Sequence, residues 1–206
     1  MPHEIGLLTG KVEGPHLTSL LLARNPALNV THLVSRDDLL FWSTFNPDGG
    51  FRRLVAFCTN IIVPAAVLAA LPGPSYNFHP GPPEYPGVHS VQFALAEGAD
   101  KFGVTLHEMA PKVDEGTIID VRRFDIQSDA DGEELEIDTF LALLGQFDDL
   151  ADWLANRDDP LPSLGIQWSG RKYRKRDYEA LCQSPPPTGS VDFTRWHRAV
   201  QPGEGA

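Results

Sequence analysis

Short apolar runs alternate with segments of helical spacing through the first half of the chain. Strands are predicted at about residues 4–8 (EIGLL), 30–35 (VTHLVS), 53–58 (RLVAFC) and 75–78 (SYNF), each a brief apolar stretch bounded by turn-forming residues. Between them, HLTSLLLAR at 16–24 and VPAAVLAAL at 63–71 read as helices. Pro64 lies in the first turn of the second, where a missing N–H costs nothing. The pattern continues with a helix at 90–98 (SVQFALAEG) and strands at 101–109 (KFGVTLHEM) and 117–124 (TIIDVRRF). Strand, helix and strand in alternation predict an α/β, Rossmann-like domain whose mostly parallel sheet is flanked by helices.

The second half reads differently. From about 132 to 155 the apolar positions, among them Leu135, Phe140, Leu143, Leu144, Phe147 and Leu154, recur at helical spacing and predict one long or two broken amphipathic helices. The eleven acidic residues from Asp129 to Asp159 read as their solvated face. After DDPLPS comes a local basic cluster, Arg171 to Arg176, whose plainest reading is a solubilising strand edge. QSPPPTG is a linker, 191–200 a short helix started near Asp192, and QPGEGA a frayed end. The expected organisation is a domain over 1–182 with a short C-terminal helical and strand extension, and a linker, helix and tail over 183–206.

Length and composition narrow the function. At 206 residues, 42% hydrophobic and 22% charged, the chain is an ordinary globular one with room for a real core. Its formal charge of −11 disfavours nucleic acid and anionic membrane surfaces as partners. Two cysteines, Cys58 and Cys182, make neither a disulfide framework nor a metal-ligand pattern. The opening MPHEIGLLTG reads as no export signal, and the apolar run IIVPAAVLAAL is short and broken by proline. A cytoplasmic location is therefore expected.

A dinucleotide site is not supported, because the first turn, TGKVEGP, offers Gly10 and Gly14 but no G-x-G-x-x-G. The informative stretch is 75–125. Alternation puts Asn77 and His79 on one face of a strand, at the end where an α/β sheet places its ligands. Thr105 and His107 share a face of a later strand, and Asp114 lies on a loop closed by Gly116. An amide, an imidazole and a carboxylate converging there suit acyl transfer. Each also has a plainer reading, since His79 can cap the strand end, Asn77 can bond the loop backbone and Asp114 can form an Asx-turn. No metal site is expected, for His79, His89 and His107 lack a ligand-pair spacing.

The phrases NFHPGPPEYPG, GVTLHEM and VDEGTII resemble the formyltransferase family that uses 10-formyltetrahydrofolate. That family's signature is N-x-H-P-S-x-L-P, then G-V-T-x-H, then D-x-G about 35 residues after the histidine; here Asp114 follows His79 by 35. TNIIVPAAVLAAL also resembles the segment that precedes the signature, with Pro64 13 residues ahead of Asn77. The resemblance implies that Asn77, His79 and Asp114 are the catalytic residues and that an acceptor amine attacks the formyl carbon directly. It implies that the pterin of the donor is held by the loops containing Asn60, Ile61, Ile62 and Val63, and Lys112 and Val113.

The acceptor is a separate question. Gly81 stands where the family has serine, and Pro82-Pro83 replaces Leu-Pro, so the covering loop differs. The phosphate turn of the family's purine enzymes is missing, and the acidic charge disfavours transfer RNA. A small-molecule amine is expected, with an amino group on a nucleotide-linked sugar foremost. Arg171, Lys172 and Arg174 would then hold the pyrophosphate, or else the glutamate tail of the folate, and Gly81 and Tyr85 would flank the sugar or base. A homodimer is compatible with this reading. The alternatives are a formyltetrahydrofolate hydrolase and a non-catalytic folate- or nucleotide-binding protein.

Overall fold

The computed structural model describes residues 4–46 and 49–200. Six strands, β1 (Glu4–Leu8), β2 (Asn29–Leu33), β3 (Arg52–Phe57), β4 (Tyr76–His79), β5 (Lys101–Glu108) and β6 (Ile118–Asp125), form one sheet in the order β2-β1-β3-β4-β5-β6. β1 pairs in parallel with both β2 and β3, and β3 with β4. β3 is buried at every position, as a strand covered on both faces must be. Its Arg53 is fully buried but not bare: the guanidinium donates to the carbonyls of Leu154 and Asp159 and lies 4.5 Å from the Trp153 ring.

The sheet is mixed rather than wholly parallel. Met109 N–H donates to Ser75 C=O while Asn77 faces His107, so numbers rise along β4 as they fall along β5. Glu108 N–H donates to Thr117 C=O, and a Cβ at Gly103 would meet the Arg122 carbonyl, so β5 and β6 are antiparallel too. β5 therefore runs against the parallel strands, with a short connection to β6 that a hairpin allows and a parallel pair does not.

The helices are α1 (Gly14–Arg24), α2 (Arg36–Thr44), α3 (Ala65–Ala70), α4 (Ser90–Glu97), α5 (Gly132–Asn156), α6 (Lys175–Gln183) and α7 (Val191–Val200). α2 is an addition to the sequence reading. It starts where the Ser35 hydroxyl accepts from Asp38 N–H, with Asp37 and Asp38 in the first turn. α5 is a single unbroken helix of 25 residues. The basic segment expected as a strand edge makes only an isolated bridge, Gly87 to Tyr173, before α6 begins at Lys175. The expectation for 201–206 lies outside the described residues.

Contacts gather the chain into two units. One holds the chain up to His79 together with Leu106–Asp120 and Leu144–Ile166; the other holds Pro80–Thr105, Val121–Leu143 and the chain from Gln167 onward. In the first unit, Leu8, Leu33, Leu39, Trp42, Leu54, Ala56 and Val67 form a buried cluster. In the second, Ala199 of α7 joins Val91, Ala94, Leu95, Phe102 and Leu135. Among the described residues no helix is long and apolar enough to cross a membrane, and no group of three or more His, Cys, Asp or Glu could hold a metal ion.

Candidate active site

β4 carries the chemistry on one face and its anchor on the other. Phe78, fully buried, packs 5.0 Å from Phe147 and 6.0 Å from Phe57, and this holds the four-residue strand in place. Alternation then turns Asn77 and His79 to the opposite face. His79 is 5% exposed, and the carboxylate of Asp114, 4% exposed, comes to 3.6 Å from its Nδ1. The three residues expected from the sequence are thus in one cluster within the first unit.

A fourth residue belongs to it. His107 is 3% exposed, and its Nδ1 lies 2.7 Å from the carbonyl oxygen of Glu108. A carbonyl only accepts, so Nδ1 carries the proton and Nε2 presents a lone pair. Nε2 lies 3.0 Å from Asn77 Nδ2, and the Asn77 amide therefore donates to it. That bond fixes which end of the amide is which, leaving the second N–H and the carbonyl oxygen of Asn77 in set directions. Asp114 Oδ1 is 3.6 Å from His107 Nε2 as well, so the carboxylate stands between two imidazoles whose centroids are 6.4 Å apart. Sequence alternation put His107 on a strand face with Thr105, but only the antiparallel placement of β5 brings it opposite Asn77.

Asp114 reaches both rings because its loop folds back, with its own backbone at φ 51°. The left-handed region is open to Asp at modest cost and closed to most residues. Gly116 closes the loop where a Cβ would strike the Glu108 carbonyl. At the end of β3, Cys58 also has positive φ, 45°, and its N–H donates to Phe78 C=O. The cysteine expected within a strand is exposed there and ends it.

The loop that follows Cys58 separates its side chains by role. Ile61 and Val63 pack on the cluster of Leu54 and Trp42, whereas Ile62 between them is 64% exposed. Asn60, Lys112 and Val113 are exposed too, and Val113 is a second apolar side chain, 43% exposed, one residue from Asp114. Apolar groups turned to solvent, one of them next to the buried Asp114, suit a flat heteroaromatic ligand.

The residues expected at the acceptor lie in the second unit. The Gly81 carbonyl accepts from the buried Thr105 hydroxyl at 2.7 Å. Arg171 donates to Glu97 at 2.9 Å, and its guanidinium lies 4.5 Å from the Tyr173 ring. Tyr85 packs 5.6 Å from Tyr173, and burial together with Glu97 pushes its phenol up to about 12. Arg174 is exposed, with its backbone N–H held by the Asp177 carboxylate. Within this unit, then, Arg171 has a carboxylate partner of its own rather than an open charge.

Residues 52–139 match the family model described as formyl transferase. The fold is similar to that of a structure described as a likely sugar N-formyltransferase from Mycobacterium tuberculosis, with 21% identity over 99% of this chain and 89% of that one and a TM-score of 0.73. It is similar, too, to a sugar N-formyltransferase from Shewanella, at 16% identity over 98% of this chain and 89% of that one, with a TM-score of 0.74. An N-formyltransferase from Helicobacter canadensis, solved with folinic acid and dTDP-3-aminofucose, matches over 97% of this chain and 80% of its own at 16% identity and a TM-score of 0.69.

Proposed function

We propose that this chain, whose residues 52–139 match the formyl transferase family model, transfers a formyl group from 10-formyltetrahydrofolate to the amine of a small molecule. The observation that carries this is the cluster of the half-buried Asn77 with the buried His79, His107 and Asp114, two imidazoles around one carboxylate with an oriented amide beside them.

The donor supplies an activated formyl carbon, and the chain supplies everything that lowers the barrier around it. When the amine nitrogen bonds to that carbon, negative charge collects on the formyl oxygen. The free N–H of Asn77 and an N–H of His79 stabilise it, which is the largest electrostatic contribution available to such a site. Asp114 holds His79 by its Nδ1 edge and, through water, takes the proton that the attacking amine loses. The bond from the formyl carbon to the departing nitrogen then breaks, and that nitrogen receives the proton from Asp114 through the same water, so the cluster ends as it began. His107 acts one step removed, by keeping the Asn77 amide from rotating. Ile62 and Val113 would bear on the faces of the donor's ring, with Asn60, Ile61, Val63 and Lys112 shaping the loops around it.

For the acceptor, we favour an amino group on a nucleotide-linked sugar. The altered loop from Gly81 to Gly87 and the cluster at Arg171, Lys172 and Arg174 support it, and the Helicobacter neighbour holds a ligand of this kind. The reaction would belong to one-carbon metabolism in the cytoplasm, without nucleic acid. The test is incubation with 10-formyltetrahydrofolate and a panel of nucleotide-linked amino sugars, followed by mass spectrometry of the acceptor. A formylated sugar supports the reading; tetrahydrofolate released without any formylated product points to hydrolysis instead.

A further inference from the structure

The loop that leaves His79, Pro80 to Gly87, has little means of holding its own shape. Prolines at 80, 82, 83 and 86 bring no N–H, so the loop is rich in carbonyls and poor in donors. Within it, Tyr85 N–H donates to the Pro82 carbonyl at 2.9 Å. Donors from outside then fix its first half. The buried hydroxyls of Ser90 and Thr105 reach the carbonyls of Pro80 and Gly81, at 3.0 and 2.7 Å. Arg123 on β6 donates two N–H groups to the Glu84 carboxylate, at 2.9 and 2.7 Å.

The second half is gripped by one stretch far downstream, residues 169–173. Ser169 N–H donates to the Pro83 carbonyl at 3.0 Å and its hydroxyl to the Glu84 carbonyl at 3.2 Å. Tyr173 N–H donates to the Pro86 carbonyl at 2.9 Å, and its own carbonyl accepts from Val88 N–H at 3.1 Å. The two backbones pass so closely that a Cβ on Gly87, whose φ is 107°, would strike the Tyr173 carbonyl. A stretch that grips must itself be held, and Tyr173 does this too. Its side chain is buried, the ring 4.2 Å from Phe93 and the O–H donating to the Glu97 carboxylate at 3.0 Å, both on α4. The side chain of one residue thus docks the stretch on α4 while its backbone holds the loop. All these groups belong to the second unit.

We infer that Tyr173 is a positioning residue for the acceptor: docked on α4, it keeps the loop from Pro80 to Gly87 folded before any ligand arrives. This rests on the reading above, in which Gly81 and Tyr85 of the loop flank the acceptor. A loop that is already ordered spares the ligand the cost of ordering it, so the contribution appears in the acceptor's KM and not in the chemical step. The same stretch carries Arg171 and Lys172, which ties the backbone of the expected cations to that of the loop.

Steady-state kinetics, with hydrogen exchange of the segment 80–89 in the free chain, tests this on a nucleotide-linked amino sugar. Tyr173→Ala raises the acceptor KM at least about tenfold, leaves kcat and the donor KM within about threefold, and speeds exchange in the loop. Tyr173→Phe, which keeps the ring against Phe93, stays within about threefold of the wild type in every constant. Should Tyr173→Ala fail to fold, Ser169→Pro removes the exposed second grip, leaves the packed ring alone, and must act as Tyr173→Ala does. Fast exchange in the wild-type loop overturns the inference. So does a loss spread equally over kcat and both KM values, the mark of a tyrosine that only packs. Slow wild-type exchange with an acceptor KM that no variant moves defeats this inference alone, whereas a wild-type chain that formylates no amine defeats the formyl transfer reading and this one with it.

Discussion

Asn77 on β4 donates a 3.0 Å hydrogen bond to His107, 30 residues away on β5, and the direction of that bond is set by a backbone carbonyl on the far side of the imidazole. A side chain that touches no reacting atom thereby decides where an amide N–H points. Replacing His107 with Ala is expected to lower kcat on the acceptor by about 10–100-fold, the range for a misaimed oxyanion donor, while KM for the donor moves little. His107→Gln, which still offers an acceptor to Asn77, should recover part of the loss. Equal losses in the two variants would leave His107 a packing residue only.

The carboxylate between the two histidines is the second point of attack. Asp114→Asn keeps the shape and tolerates φ 51°, so it removes charge with little added strain. Its rate, and that of His79→Ala, should fall by at least about 100-fold with the thermal transition nearly unchanged. Asp114→Ala should lose stability as well, by about 1–3 kcal/mol, because alanine is poorly suited to that backbone. Steady-state kinetics with differential scanning calorimetry separate the two effects.

Behind the site, Phe78 anchors β4 through Phe57 and Phe147. Phe78→Ala is expected to cost about 3–5 kcal/mol, seen as a fall in Tm on the order of 10 °C. A small change in Tm would mean that the strand is held elsewhere.

The basic segment gives a sharper test because its first arginine is already paired with Glu97. An exposed ion pair of this sort contributes at most about 1 kcal/mol to stability, so its loss should hardly move Tm. If the segment binds an acceptor's phosphates, neutralising Arg171, Lys172 and Arg174 together raises the acceptor KM about tenfold and leaves kcat alone. An unchanged KM would make it a solvated surface.

Much of the fold and the core of the candidate site can be read from the sequence because they rest on local patterns. Alternation in Asn77-Phe78-His79 and the spacing to Asp114 carry over directly into a shared face and a closed loop. What stays hidden depends on distant partners. Alternation along GVTLHEM is the same whichever way β5 runs, so neither its direction nor the meeting of His107 with Asn77 is written locally. α2 was missed for another reason: RDDLLFWST buries only Leu39 and Trp42, too narrow a stripe to declare a helix. The available signal was its cap, Ser35 followed by Asp38, and Ser35→Ala should cost about 1 kcal/mol in a chemical denaturation curve.

The central claim is formyl transfer through one buried cluster, and a single measurement reaches it most directly. Initial rates are taken for tetrahydrofolate release from 10-formyltetrahydrofolate with a nucleotide-linked amino sugar present, for the wild-type chain and for Asp114→Asn in parallel. The account predicts release matched mole for mole by formylated sugar in the wild type, and a rate at least about 100-fold lower in the variant. A variant as fast as the wild type, or a wild type that formylates no amine in the panel, would contradict it.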